Sequence, residues 1–177
     1  MNRHALFGFD AGALYEALDE QRRARGLSWA GATREIWELS ADLNARRADH
    51  PISPATIQNL AKRGASSCQH ALFMLRWLGR TPESFLVGGA ASAGAALPEA
   101  RADQRLRWNL AKLHEALNAT RRERGLTWAQ TAREIGCQSS QLTGLRTAKF
   151  ATNMDLAMRI VQWLERSSSD FIYAASW

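Results

Sequence analysis

Two cysteines and the absence of long apolar runs set the first limits on this chain of 177 residues. Cys68 and Cys137 are not at equivalent positions, so we expect two free thiols rather than a disulfide framework. No stretch approaches the roughly 18 apolar residues that would span a membrane. Residues 1–8 also lack the apolar core of a signal peptide. We therefore expect a cytoplasmic protein with no membrane partner.

The chain also lacks the signatures of catalysis and of metal or cofactor binding. It has no glycine-rich phosphate loop, no serine elbow and no carboxylate pair with an obvious cleft. The chain has four histidines: His4, His50, His70 and His114. They are not spaced as metal ligands, either with one another or with a cysteine. We therefore expect no enzyme, no cofactor and no metal site.

Lysine is scarce, because 20 of the 23 basic side chains are arginines. The formal net charge is +6. Residues 1–86 carry 11 basic and 9 acidic side chains, a net of +2, and residues 105–177 carry 11 and 6, a net of +5. A positive balance fits a polyanionic partner, although an arginine- and alanine-rich composition also fits a GC-rich genome. If the chain binds phosphates, we expect the second half to bind them more tightly.

The chain contains an internal repeat. Residues 14–36 and residues 113–135 stay in step at a constant offset of 99, and 14 of those 23 positions are identical. The two halves are similar again at an offset of 86, where residues 76–78 correspond to residues 162–164 and Phe85 corresponds to Phe171. Two copies are too few for a solenoid. The repeat therefore predicts two small lobes of one fold and a target that is itself double.

Apolar spacing and capping residues predict helices in both repeats. In the second repeat, with Asn109 and Thr127 as caps, we expect helices over residues 110–124, 128–135, 139–147 and 154–164, and a last turn at Phe171. The first repeat follows the same order, with Asp10, Ser28 and Ser53 as caps. Because no segment shows strand alternation, we predict an all-α protein.

The first repeat has fourteen extra residues, roughly Glu38 to Pro51, between its second and third helices. Apolar residues keep helical spacing as far as Leu43, so we expect the second helix to continue to about Arg46. A Gly- and Ala-rich stretch between the repeats predicts a linker. The predicted boundaries are a first lobe at 1–86, a linker at 87–104 and a second lobe at 105–177.

Residues 132–145 have the spacing of a helix-turn-helix. Ala132 is small, Gly136 follows where the chain must turn with positive φ, and Leu142 and Leu145 pin a second helix across the first. The free face of that second helix can enter the major groove of DNA. We predict that the following residues bind DNA: Gln138, Ser139, Ser140, Thr143, Arg146, Thr147 and Lys149.

With this pattern the chain resembles the Cro/C1-type (XRE family) helix-turn-helix transcriptional regulators. The resemblance rests on residues 121–127, 132–136, Leu142 and Leu145, and it extends over both repeats. The chain is most similar to a duplicated bacterial branch of this family. The signature motifs of that branch correspond to residues 25–29 and 77–85 of this sequence. The resemblance implies two tandem five-helix, lambda-repressor-like lobes joined by the Gly/Ala-rich linker, with double-stranded DNA as the partner.

The resemblance also suggests roles for single residues. The helix-1 arginine of the family, which commonly touches a phosphate, falls on Arg22 and Arg121. Where the family usually has a DNA-contacting glutamine at the start of its second helix, this chain has Trp29 and Trp128, which we expect to pack in the core. The glutamate that often follows the last core leucine of the third helix is Ala61 or Arg146 here.

The third helix of the first repeat carries a second set of candidate DNA-binding residues. Glutamine and asparagine are suited to bidentate pairing with adenine, and lysine and arginine to guanine or phosphate. We predict that Gln58 and Asn59 read bases in this lobe. The full candidate set is Ser53, Gln58, Asn59, Lys62 and Arg63.

The sequence therefore predicts a double-stranded DNA-binding transcriptional regulator, most simply a repressor, with two covalently linked and unequal helix-turn-helix lobes. The alternative is a protein-interaction module, such as an antitoxin or adaptor, that keeps the fold without reading DNA. The extended helix near Trp37–Leu43 is either a structural decoration or a surface for a homodimer or protein partner.

Overall fold

The chain is mainly helical in the computed structural model, which describes residues 5–88, 95–148 and 152–177. The helices of the first repeat are α1 (Ala11–Ala24), α2 (Trp29–Glu38), α3 (Ala41–Asn44), α4 (Pro54–Arg63) and α5 (Cys68–Leu78). Those of the second repeat are α6 (Leu110–Glu123), α7 (Trp128–Ile135), α8 (Ser139–Thr143) and α9 (Met154–Trp163). Short 3-10 turns follow at Pro82–Phe85, Gly144–Arg146 and Ser168–Phe171.

The predicted capping residues begin the helices as expected. The Asp10 carboxylate accepts a hydrogen bond from the Ala13 amide, and the equivalent Asn109 accepts one from Lys112. Ser53 caps α4 directly before a proline in its first turn. Each such cap stabilises its helix by about 1 kcal/mol. These local rules explain why sequence alone places the helix starts correctly.

A two-stranded antiparallel sheet corrects the all-α prediction. Strand β1 (Arg105–Trp108) pairs with β2 (Ile172–Ala175), and Arg105 lies opposite Ala175. All four β1 residues are buried, so the strand has no alternation of apolar and polar residues by which to recognise it. At the equivalent position, the described part of the first repeat has an antiparallel bridge between Phe9 and Leu86.

The second helix of the first repeat ends eight residues earlier than predicted. It stops at Glu38, and α3 resumes the helical path at Ala41. The break exposes the Leu39 carbonyl to Arg76 Nη2 at 2.8 Å and lets the Ser40 hydroxyl donate to the Gln104 carbonyl at 2.6 Å. These tertiary bonds replace the helical ones that a continuous helix would make at this point.

The third helix of the second repeat is likewise shorter than predicted. It leaves α-helical geometry after Thr143 and continues as a 3-10 turn over Gly144–Arg146. Glycine has a low helix propensity, costing about 1 kcal/mol relative to alanine, which fits the change of geometry at this residue.

A local two-fold axis relates the two repeats. Residues 66–68 and 152–154, which are equivalent at the offset of 86, pair antiparallel with each other. They make two matching amide-to-carbonyl hydrogen bonds of 2.9 Å, from Cys68 to Thr152 and from Met154 to Ser66. When equivalent segments pair antiparallel and exchange the same bonds, a two-fold axis passes between them. Helices α5 and α9, which begin at these segments, pack against each other.

A buried carboxylate adds a second contact between the repeats. Glu83 Oε1 accepts a hydrogen bond from the Ser168 amide at 2.7 Å, and Oε2 accepts one from the Ser168 hydroxyl at 2.9 Å. Ser168 is fully buried. The buried apolar residues of both repeats belong to one continuous cluster. The predicted division into separate lobes at 1–86 and 105–177 stays a prediction.

The second part of the predicted linker is bound to the first repeat. The Arg76 guanidinium donates to the carbonyls of Ala100 at 2.6 Å and Gln104 at 3.2 Å, and Leu97 packs against the core. The Gly- and Ala-rich centre of the linker, residues 89–94, lies outside the described residues. Residues 97–104 therefore form a packed connection that leads directly into β1.

Candidate nucleic-acid interface

Helix α4 turns a polar face to solvent in the first repeat. Its apolar side is anchored by Ile57 and Leu60, which are fully buried and face α1. On the opposite side, Asn59 is partly exposed and the other predicted residues are exposed: Ser53, Gln58, Lys62 and Arg63. The structure therefore brings together the whole set that sequence analysis assigned to this helix.

The fourteen-residue insertion packs away from this face. The Leu43 amide donates to the Ala102 carbonyl, and the Arg105 guanidinium donates to Asn44 Oδ1 and Asp49 Oδ2, both at 2.6 Å. The insertion thus packs against residues 102–105 and leaves the polar face of α4 accessible. In this position it shields a nearly buried arginine of β1 from solvent.

Much of the predicted partner surface near Trp37–Leu43 contacts the chain itself. Trp37 stacks edge-on against Phe73 at 5.8 Å between ring centroids, and Arg105 lies 4.8 Å from the Trp37 ring centroid. Leu43 is buried. The exposed side of this stretch consists of Glu38, Ala41 and Asp42. A homodimer or protein contact on that side stays a prediction.

In the second repeat, α7 and α8 are joined by a tight turn at Gly136. This residue has φ 79° and ψ 43°, a left-handed conformation that favours glycine. Arg159 Nη1 donates to the carbonyls of Ile135 and Gly136 at 2.8 and 2.7 Å. A side chain from α9 therefore satisfies the carbonyls of Ile135, the last residue of α7, and of the next residue, Gly136.

Helix α8 presents the other predicted set. Leu142 and Leu145 are buried and hold this segment on the core. Ser139 is partly exposed, and the exposed members are Gln138, Ser140, Thr143, Arg146 and Thr147. Lys149, the last predicted member, lies outside the described residues.

Within the part of the chain that the structure describes, three basic residues of these two faces have no acidic partner. Lys62, Arg63 and Arg146 form no ion pair with any residue in 5–88, 95–148 or 152–177. Ion pairs elsewhere neutralise arginines such as Arg23, Arg47 and Arg166. Positive charge on the polar faces is therefore available to an external anion.

The predicted phosphate-binding arginines, Arg22 and Arg121, are engaged within the chain. Arg22 Nη1 donates to the Leu27 carbonyl at 2.8 Å, and the guanidinium lies 4.7 Å from the Trp29 ring centroid. Its side chain is 19% exposed and also pairs with Asp19. These contacts stabilise the turn between the first two helices. Because they engage most of the hydrogen-bond donors of the guanidinium, few remain to bind a phosphate.

The second repeat reproduces this arrangement closely. Arg121 Nη1 donates to the Leu126 carbonyl at 2.6 Å, and its guanidinium lies 4.7 Å from the Trp128 ring centroid. Asn118 accepts the remaining bonds in place of a carboxylate. Both Trp29 and Trp128 pack partly buried against the core, as expected. Sequence reasoning missed the Arg–Trp stacks, although the constant seven-residue spacing in both repeats was a signal for them.

A second tryptophan in each repeat is fixed by a glutamate. Trp77 Nε1 donates to Glu35 at 3.1 Å, and Trp163 Nε1 donates to Glu134 at 2.9 Å. Arg124 adds a cation–π contact 4.4 Å from the Trp163 ring centroid. The arginines and tryptophans that recur between the repeats therefore stabilise the two copies of the fold.

A titratable side chain, His114, contacts the Arg–Trp stack of the second repeat. Its ring stacks on Trp128 at 5.5 Å between centroids, where the first repeat has Tyr15. Burial lowers the pKa of His114, the charge of Arg146 lowers it further, and Glu115 opposes the shift. Because the pKa in the folded chain lies below the unfolded value of about 6.5, protonation favours the unfolded chain.

We expect His114→Tyr to flatten the dependence of the free energy of unfolding on pH. The contribution of the neutral ring is complete above the unfolded pKa and is lost as the pH falls through the folded pKa. Denaturant titrations at about pH 7 and about pH 5 would measure the difference between wild type and variant. The reciprocal Tyr15→His is the matched control and should steepen the dependence. Equal pH dependence in H114Y and wild type would contradict the prediction.

No group of three or more potential metal-ligating side chains occurs among the described residues. Burial raises the pKa of both thiols, Cys68 and Cys137, which disfavours the nucleophilic thiolate. A cavity of about 540 Å³ lies beside Arg76 and the connection at residues 96–100, and the Arg76 guanidinium already donates hydrogen bonds to carbonyl and hydroxyl oxygens.

Comparison of the chain with protein-family models, curated proteins and solved structures found no match. Among the described helices, none combines the length and apolarity needed to cross a membrane.

Proposed function

We propose that this protein is a sequence-specific double-stranded DNA-binding transcriptional regulator of the Cro/C1 type, built as two helix-turn-helix lobes in one chain. The proposal rests on two exposed polar helices, α4 and α8, one in each repeat, and on the antiparallel pairing of residues 66–68 with residues 152–154, which gives the repeats a local two-fold axis. A two-fold axis places equivalent helices at the same height, as two half-sites on one side of a duplex require. Occupation of a promoter makes repression the simplest outcome.

The length of chain between the axis and each helix limits the spacing of the half-sites. Gln58 is nine residues from Ser67, and Thr143 is ten residues from Asn153. Even with every non-helical residue fully extended, the two positions can be no more than about 60 Å apart. Half-sites one helical turn apart, about 34–36 Å, lie within this limit, and half-sites two turns apart lie beyond it. One chain should therefore bind one pair of adjacent half-sites.

The test begins with selection of bound duplexes from a random pool, followed by measurement of affinity and stoichiometry on the selected site. We expect one chain per site and a steep decrease in affinity with salt concentration. Insertion of 10 base pairs between the half-sites should lower the affinity at least about tenfold, because the second lobe can no longer reach. Two chains per site, or tolerance of the insertion, would contradict the single-chain arrangement.

The rival function, a protein-interaction module such as an antitoxin or adaptor, makes a different prediction. Such a protein has no need of the phosphate backbone and should not shift a random duplex even at about 50 mM salt. Lys62, Arg63 and Arg146, which form no ion pair with any described residue, favour the DNA-binding alternative, because a positive face suits a polyanion. No binding at low salt would leave the interaction module as the better proposal.

A further inference from the structure

We infer that the two lobes divide the work of recognition: α4 specifies the base sequence through Gln58 and Asn59, and α8 adds affinity through the DNA backbone. This inference rests on the proposed function and adds a role for each lobe. Backbone contacts position a protein on DNA, whereas contacts to base edges carry the sequence information. The two third helices differ in the side chains that each kind of contact needs.

Helix α4 is built to hold side chains at fixed positions. It has ten residues, begins with the Ser53 cap and ends at Gly64 in a left-handed conformation. The Gln58 and Asn59 amides form no hydrogen bond with any other described residue, so their donors and acceptors are available. An amide side chain held on a regular helix can pair bidentately with N6 and N7 of adenine.

Helix α8 lacks these groups at the equivalent positions. Leu142 and Leu145 answer Ile57 and Leu60 at an offset of 85, so Thr143 stands where the first repeat has Gln58 and Gly144 where it has Asn59. The Thr143 hydroxyl donates to the carbonyls of Ser139 and Ser140 at 3.2 and 3.4 Å, and Gly144 has no side chain. Gln141 is the exposed amide side chain of α8, but it corresponds to Thr56 rather than to Gln58 or Asn59, and its Oε1 accepts a hydrogen bond from the Gln138 amide at 2.9 Å.

Like α4, which ends with the exposed Lys62 and Arg63, α8 and its neighbours offer positive charge. Arg146 is exposed after α8, and Arg133 is exposed near the end of α7, and neither pairs with an acid among the described residues. The second repeat carries a net charge of +5 against +2 for the first, from 11 basic and 6 acidic against 11 and 9 side chains. Phosphate contacts need charge and reach but no fixed base-reading geometry.

The test compares matched double variants of the two lobes on two duplexes, the selected site and a scrambled sequence. Q58A/N59A should lower the ratio of specific to scrambled affinity by about tenfold or more, because it weakens binding to the selected site more than binding to the scrambled one. Q138A/T143A removes the amide at the N-cap of α8 and the hydroxyl of its face, and it should change the affinity for both duplexes by similar factors, so that their ratio stays within about threefold. R133A/R146A should weaken both duplexes equally and reduce the salt slope by about two.

The outcomes separate this inference from the function on which it rests. If Q138A/T143A relaxes the base preference as strongly as Q58A/N59A does, both lobes read sequence and the division of roles is wrong. If Q58A/N59A keeps the full ratio, α4 does not specify the site and the assignment is also wrong. If the wild-type chain binds neither duplex, the proposed function itself fails. Circular dichroism and denaturant midpoints of each variant distinguish all of these from loss of the fold.

Discussion

Glu83→Ala is expected to lower the free energy of unfolding by about 3 kcal/mol. The substitution removes the acceptor for both the amide and the hydroxyl of Ser168, a residue with no exposed surface. A buried donor that loses its partner costs about 1–3 kcal/mol, and two donors are affected here. Because this carboxylate joins the two repeats, the loss should also reduce the cooperativity of unfolding. Urea titrations followed by tryptophan fluorescence and by circular dichroism would measure both effects.

Ser84→Ala is the matched control for Glu83. Its hydroxyl is 3.1 Å from that of Thr81, within the same turn, and it does not reach the other repeat. We expect a change of no more than about 1 kcal/mol and coincident transitions by both probes. If E83A unfolds within about 1 kcal/mol of wild type, Glu83 does not hold the repeats together.

Gly136→Val should destabilise the protein by a similar amount, about 3 kcal/mol. A β-branched residue is strained at φ 79°, which costs about 1–2 kcal/mol. A Cβ at this position would also lie 3.1 Å from Arg159 Nη1 and push that guanidinium away from the carbonyls of α7. Loss of these charge-assisted bonds adds about 1–2 kcal/mol. Thermal and urea unfolding would measure the change.

Gly144→Ala, in the 3-10 turn that follows α8, should have the opposite effect on stability. This glycine has φ −66° and ψ −21°, and a Cβ built on it meets no described atom within 4 Å. Alanine therefore fits without strain and should stabilise the protein by about 0.5–1 kcal/mol. A stabilising G136V, or a destabilising G144A, would show that the turn geometry described above is wrong.

The helix starts, the turn at Gly136 and the buried leucines of the third helices could be predicted because each depends on neighbours only a few residues away. Asp10 needs only Ala13 to act as a cap, and Gly136 needs only a positive φ. The polar faces of α4 and α8 then follow from helical periodicity. The described candidates of α4 and α8 accordingly lie on partly or fully exposed positions, although their binding to DNA stays a prediction.

The strands could not be predicted, because distant residues stabilise them. Arg105 is buried in β1 only because Asn44 and Asp49 accept its hydrogen bonds and Trp37 stacks on it, all more than 50 residues away in the chain. In a sequence, an arginine between a linker and a helix looks like a solvent-exposed residue. The break in the second helix has the same origin, since Arg76 and Gln104 determine it.

The helix-1 arginines show a different limit of sequence reasoning. A repeated arginine at Arg22 and Arg121 fits a phosphate contact and a structural stack equally well until the positions of Trp29 and Trp128 are known. Geometry favours the stack, because the guanidinium donors already bind nearby carbonyls and side-chain oxygens. A residue that recurs in both copies of a fold is therefore a candidate for a structural role first and for ligand binding second.

The pairing at the local axis also affects the order in which the chain can fold during synthesis. Residues 66–68 leave the ribosome long before residues 152–154, which are 86 positions later. Until α9 has been translated, the side of α5 that α9 will cover has no partner, and Cys68 at its start lacks its carbonyl acceptor. Nascent chains expose such apolar surfaces to chaperones and to aggregation. The thiol of Cys68 is buried in the folded protein. Its alkylation in nascent chains of increasing length would therefore show at what length α9 has packed against α5.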